Sequence, residues 1–429
     1  MTGEHDTQSK RFEPPRGMRD FYPEEMAKRN AIFEAWIGAA RQFGFAQYDA
    51  CVVETLDLLK RKSGEEIVEQ IYTFQDKSGR DLALRPEMTP SLARMIVARQ
   101  GALAFPLKWF AVPQCFRYER MSRGRKREHF QWNLDIIGEP SVAAEAEVLA
   151  CALHALELMG LASDVCVHYS SRALLSDLML KLGIPRPEHA AAFLALDKRG
   201  KIDDAEISSL LLAGGMDPLR AKAVFDVLKI SALDDAVRML GERTPSVQAL
   251  ESLQSLLAAH GLAGRARFDI SVIRGLGYYT GIVFEAFDLE RKFRAIFGGG
   301  RYDRLLQDVG GSAMTAVGLG FGDVVVGELL EDKGRLSAVA QRVDLAIGYM
   351  ENAQLETAIR AAEAFRRAGL CVDMSVHSEK PKTFFGRVGK GGVRQAVYIG
   401  PDDVAKGEIR LKNLADRSEQ VRKLDALPG

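Results

Sequence analysis

Apolar residues first recur at helical spacing behind Pro23. Phe33, Trp36, Ile37 and Ala40 share one face of a helix that the proline can start. From 45 to 84 the pattern shortens into alternating runs. Residues 71–74 and 82–84 are separated by Asp76, Lys77, Ser78 and Gly79, four turn formers, which predicts an antiparallel hairpin. Strand patterns around 109–120 and 130–137 lie on either side of a very basic loop. Leu149, Ala152, Leu153, Leu156 and Met159 mark a second amphipathic helix, stopped by Gly160. Residues from about 170 to 262 are helix-rich, with loop signals at Gly183-Ile-Pro-Arg-Pro and Gly214-Gly-Met-Asp-Pro. Strand patterns resume at 268–273 and 281–287. The middle is therefore expected to be a helical insertion into a β-rich domain, with a separate domain in series as the alternative. A strand at 343–347 opens a last unit. Its helix places Leu355, Ala358, Ile359 and Ala362 inward, exposes Glu356–Arg360 and Glu363–Arg367 as pairs, and ends at Gly369. Strands at 370–376 and 395–399 complete a small α/β domain with a partly parallel sheet.

A length of 429 residues fits two or three such domains. With 47% hydrophobic and 27% charged residues, the chain has material for a large core and needs no disulfides. Lys plus Arg and Asp plus Glu are both 58, which excludes a uniformly basic coat and an acidic disordered chain but leaves room for local basic patches. Cys51, Cys115, Cys151, Cys166 and Cys371 show no CxxC spacing, and no HxxxH or HExxH occurs. They read as buried small hydrophobes in a reducing cytosol. Residues 1–23 read as a flexible polar tail without a signal-peptide core. The longest apolar run, from Ala316 to Leu330, carries Asp323 and Glu328, so no membrane partner is expected and the location is read as cytoplasmic.

Chemistry concentrates in five segments. Residues 117–129 hold six Arg or Lys against two Glu. Behind them Gln131, Asn133 and Asp135 alternate with Trp132, Leu134 and Ile136, the period of a strand with one apolar and one polar face. A solvated edge strand is the plain explanation. Short polar groups in a row beside an Arg-rich loop better suit a cleft for a polar ligand and an anion, and Arg117 and Glu119 are read as sharing one face of the preceding strand. The second segment is Arg274-Gly-Leu-Gly-Tyr-Tyr-Thr-Gly281, where glycines permit close backbone approach and Tyr278 and Tyr279 bring phenols. Third is Arg85-Pro-Glu-Met-Thr89, with Glu87 and Thr89 pointing the same way. Fourth is Gly298-Gly-Gly-Arg-Tyr-Asp303, whose triplet taken alone reads as a flexible turn or strand crossing. Fifth is the alternation Gly318, Gly320, Gly322, suited to a close-packed or ligand-adjacent strand. No GxxxxGK[ST] phosphate loop, Ser/His/Asp set or Cys/His set is present. His129, His154, His168 and His377 read as structural.

Taken in order, these segments resemble the histidyl-tRNA synthetases, class II aminoacyl-tRNA synthetases. The resemblance runs from Arg16-Gly-Met-Arg-Asp20 through a motif 1-like stretch at 45–54, the strand-loop-strand of motif 2 and the Arg-Gly-Leu-x-Tyr-Tyr signature, to a C-terminal domain like the family's anticodon-binding domain. It implies an α+β fold: a catalytic domain over 1–340 built on a six-stranded antiparallel sheet with the insertion at about 170–262, and an anticodon-binding domain over 343–429. It also implies a homodimer that activates L-histidine with ATP and Mg²⁺, then loads the 3′ end of histidine tRNA. By the same resemblance Glu87, Thr89, Gln131, Asp135, Tyr278 and Tyr279 would hold histidine. Arg117 and Arg274 would be catalytic at the α-phosphate, and Arg117, Glu119, Arg125 and Arg127 would line the ATP site. Arg120, Arg123 and Lys126 in the loop, and Lys382, Arg387 and Lys390 near the C-terminus, would meet tRNA.

Four departures from the family pattern carry consequences. Cys51 replaces a motif 1 proline, Met121-Ser122 replaces Pro-Gln where the extra 5′ nucleotide of the tRNA is read, and Gly277 replaces Asp. Gly322-Asp-Val-Val-Val lacks the motif 3 arginine, whose work at adenine or the γ-phosphate then falls to Arg301 or Arg125. That loss makes a histidine-binding paralogue, the regulatory subunit of ATP phosphoribosyltransferase, the alternative. Retention of Arg117, Arg274 and a C-terminal domain weighs against it.

Overall fold

Pro23 at the first helical turn, with Glu24 and Glu25 behind it, starts a helix over Pro23–Gln42. Ile32, Trp36, Ala39 and Ala40 are its buried stripe. The computed structural model describes residues 12–62, 69–198, 202–274, 278–336 and 343–427. These gather into two compact units, one within residues 12–22 and 28–336, the other within residues 23–27 and 343–427.

The larger unit is built on a nine-stranded sheet. Its strands are β1 (Ala46–Gln47), β5 (Leu107–Ala111), β6 (Gln114–Phe116), β7 (Glu128–Ile137), β8 (Val165–Ser171), β9 (Ala266–Phe268), β10 (Ile282–Asp288), β11 (Phe297–Arg301) and β12 (Ala316–Gly322). The order is β1-β5-β7-β12-β11-β10-β8-β9, with β6 paired to β7. The six strands from β5 to β8 are antiparallel, as expected, and β1 and β9 extend the sheet as parallel edges. A small separate sheet joins β2 (Val53–Thr55), β4 (Asp81–Leu84) and β3 (Thr73–Gln75).

Strand alternation divides the main sheet into two faces. On the back, Trp132 of β7 stacks on Trp36 at 6.1 Å, and Phe321 of β12 packs on both. Arg301 leaves β11 on this side for a bidentate bond to Glu145 of helix Ala143–Leu158, at 2.7 and 2.6 Å, and also reaches the carbonyls of Glu139 and Ser141. Removing one partner of so buried a pair would cost about 3–5 kcal/mol. Arg19 ties the N-terminal segment to Glu128 at 2.7 Å and to Asp323 at 3.0 Å. Six helices, from Arg172–Lys181 to Pro245–Ala259, follow one another between β8 and β9.

Several local expectations are corrected. Residues 56–62, inside the run read as strands, form a helix, Leu56–Lys62. Strand β6 ends at Phe116, so Arg117 and Glu119 lie beyond it, and 269–273 is not strand. The triplet Gly298–Gly300 is not a turn: it is the fully buried centre of β11.

The smaller unit has a five-stranded sheet in the order β14 (Val372–Met374), β13 (Leu345–Tyr349), β15 (Gln395–Ile399), β16 (Glu408–Asn413), β17 (Glu419–Lys423). β13 is parallel to β14 and β15, and the last two strands are antiparallel additions. Helix Leu355–Arg367 buries Ala358, Ala361, Ala362 and Phe365. Ile359, expected inward, is 43% exposed because the buried stripe runs through Ala361 and Phe365 instead. Glu363 pairs with Arg366 rather than Arg367.

Candidate active site

The front of the main sheet faces a cavity of about 890 Å³. Three glycines make room for its working side chains. A methyl group on Gly298 would fall 1.4 Å from Nη1 of Arg274, on Gly318 1.9 Å from Oδ1 of Asp135, and on Gly320 1.7 Å from Nε2 of Gln131. The sheet register explains the arrangement, since Gly318 lies opposite Asp135 and Gly320 opposite Asn133 and Gly298. Glycine is kept here for side-chain space rather than for backbone freedom.

One end of the cavity is acidic and phenolic. Tyr302 donates to Oδ1 of Asp135 at 2.6 Å, leaving Oδ2 buried without a partner. Burial pushes the Asp135 carboxyl up to about 7, against the opposing hydrogen bond from Tyr302. Tyr278 donates to Glu87 at 3.5 Å and lies 4.8 Å from Tyr279, ring to ring. Thr89, the first residue of helix Thr89–Arg99, lines the same space with Gln131 and Asn133. A small ligand carrying several N–H donors suits this end.

The other end is cationic. Arg117 donates from Nε to the Pro86 carbonyl at 2.9 Å and stands 4.0 Å from Glu119, which also holds Arg125 at 2.8 Å. Arg274 approaches Glu285 at 3.2 Å, with a left-handed backbone at φ 53°. Lys126, Arg291 and Arg294 complete the lining. His129 adds no charge: burial, helped by the Arg117 cation, lowers its pKa to about 3. Forked guanidiniums facing a shared space suit a polyphosphate.

Other positions expected at the site lie elsewhere. Arg127 does not line the cavity; its guanidinium stacks 3.8 Å over the Tyr118 ring and reaches the Arg16 carbonyl. Arg301 is held by Glu145 on the opposite face, which rules it out as a stand-in for a motif 3 arginine. Val325 takes that place in the lining, and the Arg294 side chain runs beside it along Gly124. Arg120 is exposed, while Arg123 stacks over Phe293 and pairs with Glu328 at 3.7 Å. In the C-terminal unit Lys382 and Lys390 are exposed. Arg387 is instead engaged with Asp373, Ser375 and Glu379. The Gly277 departure lies outside the described residues.

Sequence reading missed Tyr302, Glu285, Arg294 and Asp197 as cavity residues. Only Tyr302 carried a local signal, standing directly behind the glycine triplet and its arginine. His168 is structural: its Nδ1 bonds Asp269 at 2.7 Å, and Arg267 donates to its Nε2 at 2.9 Å.

Comparison with known proteins adds to this geometry. The family described as Histidyl-tRNA synthetase matches residues 17–322, and the Anticodon binding domain family matches 344–429. Histidine–tRNA ligase, chloroplastic/mitochondrial, of Arabidopsis thaliana is 41% identical over 96% of this chain and 85% of its own length. Histidine–tRNA ligase of Opitutus terrae is 39% identical over 95% of each chain. The crystal structure of histidyl-tRNA synthetase from Nostoc sp. PCC 7120 shares the fold, with a TM-score of 0.81, 23% identity and 97% of each chain covered.

Proposed function

The chain belongs to the histidyl-tRNA synthetase family, and on that premise we propose which of its residues perform the family's two-step reaction. L-Histidine is activated with ATP to histidyl-adenylate and pyrophosphate, and the histidyl group then passes to the 3′ end of histidine tRNA. Relatives carrying the ligase name match over nearly the full length, which disfavours the regulatory-subunit reading.

The observation that carries the assignment is the polarity of the cavity, acidic and phenolic at one end and guanidinium-rich at the other. Glu87, Thr89, Gln131, Asp135, Tyr278 and Tyr279 hold histidine. Asp135 and the tyrosines meet ring nitrogens, a contact that an amino acid with an apolar side chain cannot replace. A site built around such hydrogen bonds rejects analogues lacking them by roughly 10⁴–10⁵-fold. The histidine carboxylate is already a nucleophile, so its oxygen attacks the α-phosphorus and pyrophosphate leaves without a strong general base. Arg117 and Arg274 stabilise charge on the α-phosphate as it crowds to five ligands. Glu119 and Arg125 frame the rest of ATP. Bound Mg²⁺ supplies charge neutralisation at the phosphates. The Glu119 carboxylate on that side is already paired with Arg125, so such an ion would be held by phosphate and water, with no protein motif supplying ligands.

Histidine tRNA is bound by Arg120, Arg123 and Lys126 at the mouth loop, and by Lys382 and Lys390 in the C-terminal unit. A homodimer accounts for the small sheet, where all of β3 is exposed and Val52, Val53 and Phe74 are 42%, 38% and 43% accessible. Light scattering should return twice the 47.3 kDa chain mass; a monomer at working concentration would refute this. No described helix is long and apolar enough to cross a membrane. Of the five free cysteines Cys115, Cys151 and Cys166 are buried as expected while Cys51 and Cys371 are exposed instead, and free thiols suit a reducing cytoplasm.

The decisive experiment is histidine-dependent pyrophosphate exchange with ATP and Mg²⁺. Exchange should appear with histidine and vanish without it; a histidine-independent signal would overturn the assignment. Arg274→Ala should lower the rate of adenylate formation far more than it weakens histidine binding. Equal losses in both would make Arg274 a ground-state binding residue instead.

A further inference from the structure

Arg172 is the first residue of helix Arg172–Lys181, directly behind β8, and is only 8% exposed. Its guanidinium is spent on backbone. Nε donates to the Ile273 carbonyl at 3.4 Å, Nη1 to the Tyr279 carbonyl at 3.2 Å, and Nη2 to the Arg274 carbonyl. Its own backbone N–H donates to the Gly281 carbonyl at 3.0 Å. One side chain thus grips the backbone at Arg274 and at Tyr279, both of which line the cavity. Arg274 needs such a grip. A non-glycine residue at φ 53° is unfavourable by itself and persists only where its surroundings over-determine it. The arginine fork suits this task because its donors diverge in one fixed plane, so three carbonyls are held at set directions.

We propose that Arg172 is a positioning residue for histidine activation, acting through Arg274 by holding the carbonyls of Ile273, Arg274 and Tyr279. It rests on the reading of Arg274 as the α-phosphate residue. Arg172 does not line the cavity. It ensures that the Arg274 guanidinium is already aimed when the phosphate charge develops, and preorganisation of this kind is where much of such catalysis resides.

A double-variant cycle on the full chain tests this, read by histidine-dependent pyrophosphate exchange. Arg172→Ala should lower kcat by about 10²-fold, the effect of a displaced catalytic group, while KM for histidine and ATP changes by less than about threefold. Arg172→Lys, which keeps the charge but not the fork, should fall between the unsubstituted chain and Arg172→Ala. In an Arg274→Ala background, Arg172→Ala should change kcat by less than about twofold, because the residue it positions is gone. Losses that multiply in the double variant, or a kcat that falls only with the folded fraction, would overturn the proposal, as would no loss at all. If Arg172→Ala does not fold, Arg172→Lys runs the same cycle, and the same outcomes support or overturn the proposal. If Arg274→Ala alone leaves exchange intact, the reading of Arg274 fails. Any loss in Arg172→Ala then arises by another route, which also overturns the proposal.

Discussion

Asp135 places a carboxylate almost wholly inside the protein, with one oxygen lacking a partner among the described residues. Its pKa in the fold, about 7, lies above the usual 3.8, because burial outweighs the hydrogen bond from Tyr302. The folded protein therefore binds a proton more tightly than the unfolded chain between those values, and stability falls as pH rises through that window. Asp135→Asn removes the buried charge while keeping the shape. It should stabilise the ligand-free protein, with a gain that grows by roughly 1 kcal/mol from pH 6 to pH 8. Denaturant melts at the two pH values measure this directly; a gain that shrinks toward pH 8 would contradict the assigned direction. The same substitution should weaken histidine binding, since an amide is a poorer acceptor than a carboxylate for a ring N–H. Stability and recognition are thus opposed at one side chain, as expected where a site holds charge for its ligand.

Strands β7, β11 and β12 show what can be read from a sequence and what cannot. The alternation of Gln131, Asn133 and Asp135 with Trp132, Leu134 and Ile136 made a two-faced strand legible, because side-chain direction follows from local backbone geometry alone. The glycine alternation of β12 was legible as a close-packed or ligand-adjacent strand, but which side chains Gly298, Gly318 and Gly320 make room for was not, since that depends on which strands become neighbours and in which register. Gly298→Ala should push the Arg274 guanidinium aside and lower kcat of activation by about 10–10²-fold. Gly320→Ala should displace Gln131 and raise KM for histidine by about tenfold, the value of one hydrogen bond to a charged group. Steady-state exchange kinetics separate the two, and the pairing reverses if the glycines serve the opposite ends of the cavity. Arginines are the least legible class. Arg127 and Arg301 sit in motifs as suggestive as those of Arg117 and Arg274. Arg301 is turned away by Glu145, 156 residues distant, a partner that local sequence does not reveal, and Arg127 by the Tyr118 ring of its own segment, a choice that the one-dimensional pattern does not specify.

At the scale of the whole molecule, a net charge of zero hides two basic segments. Residues 117–129 carry four net positive charges, and 380–394 hold five basic residues and no acidic one. Affinity for tRNA should therefore fall with salt, with a slope set by a few phosphate contacts rather than by total charge. Lys382→Ala and Lys390→Ala should each reduce that slope by about one, measured by filter binding across a salt series. Arg387→Ala should leave the slope nearly unchanged and instead destabilise the C-terminal unit by up to about 1 kcal/mol, because Glu379 loses its cation and is left with the Ser375 hydroxyl. Unchanged stability with a smaller slope would return Arg387 to the RNA surface. The end of β11 joins the two faces of the catalytic sheet. Arg301 turns back to Glu145, and its neighbour Tyr302 turns forward to Asp135. A lineage cannot exchange Glu145 or Arg301 singly without stranding a buried charge one residue from the group that orients the Asp135 carboxylate. Heritable variation at these two positions should therefore arrive as paired changes, and a lone change there should behave in a population like a lesion of histidine recognition.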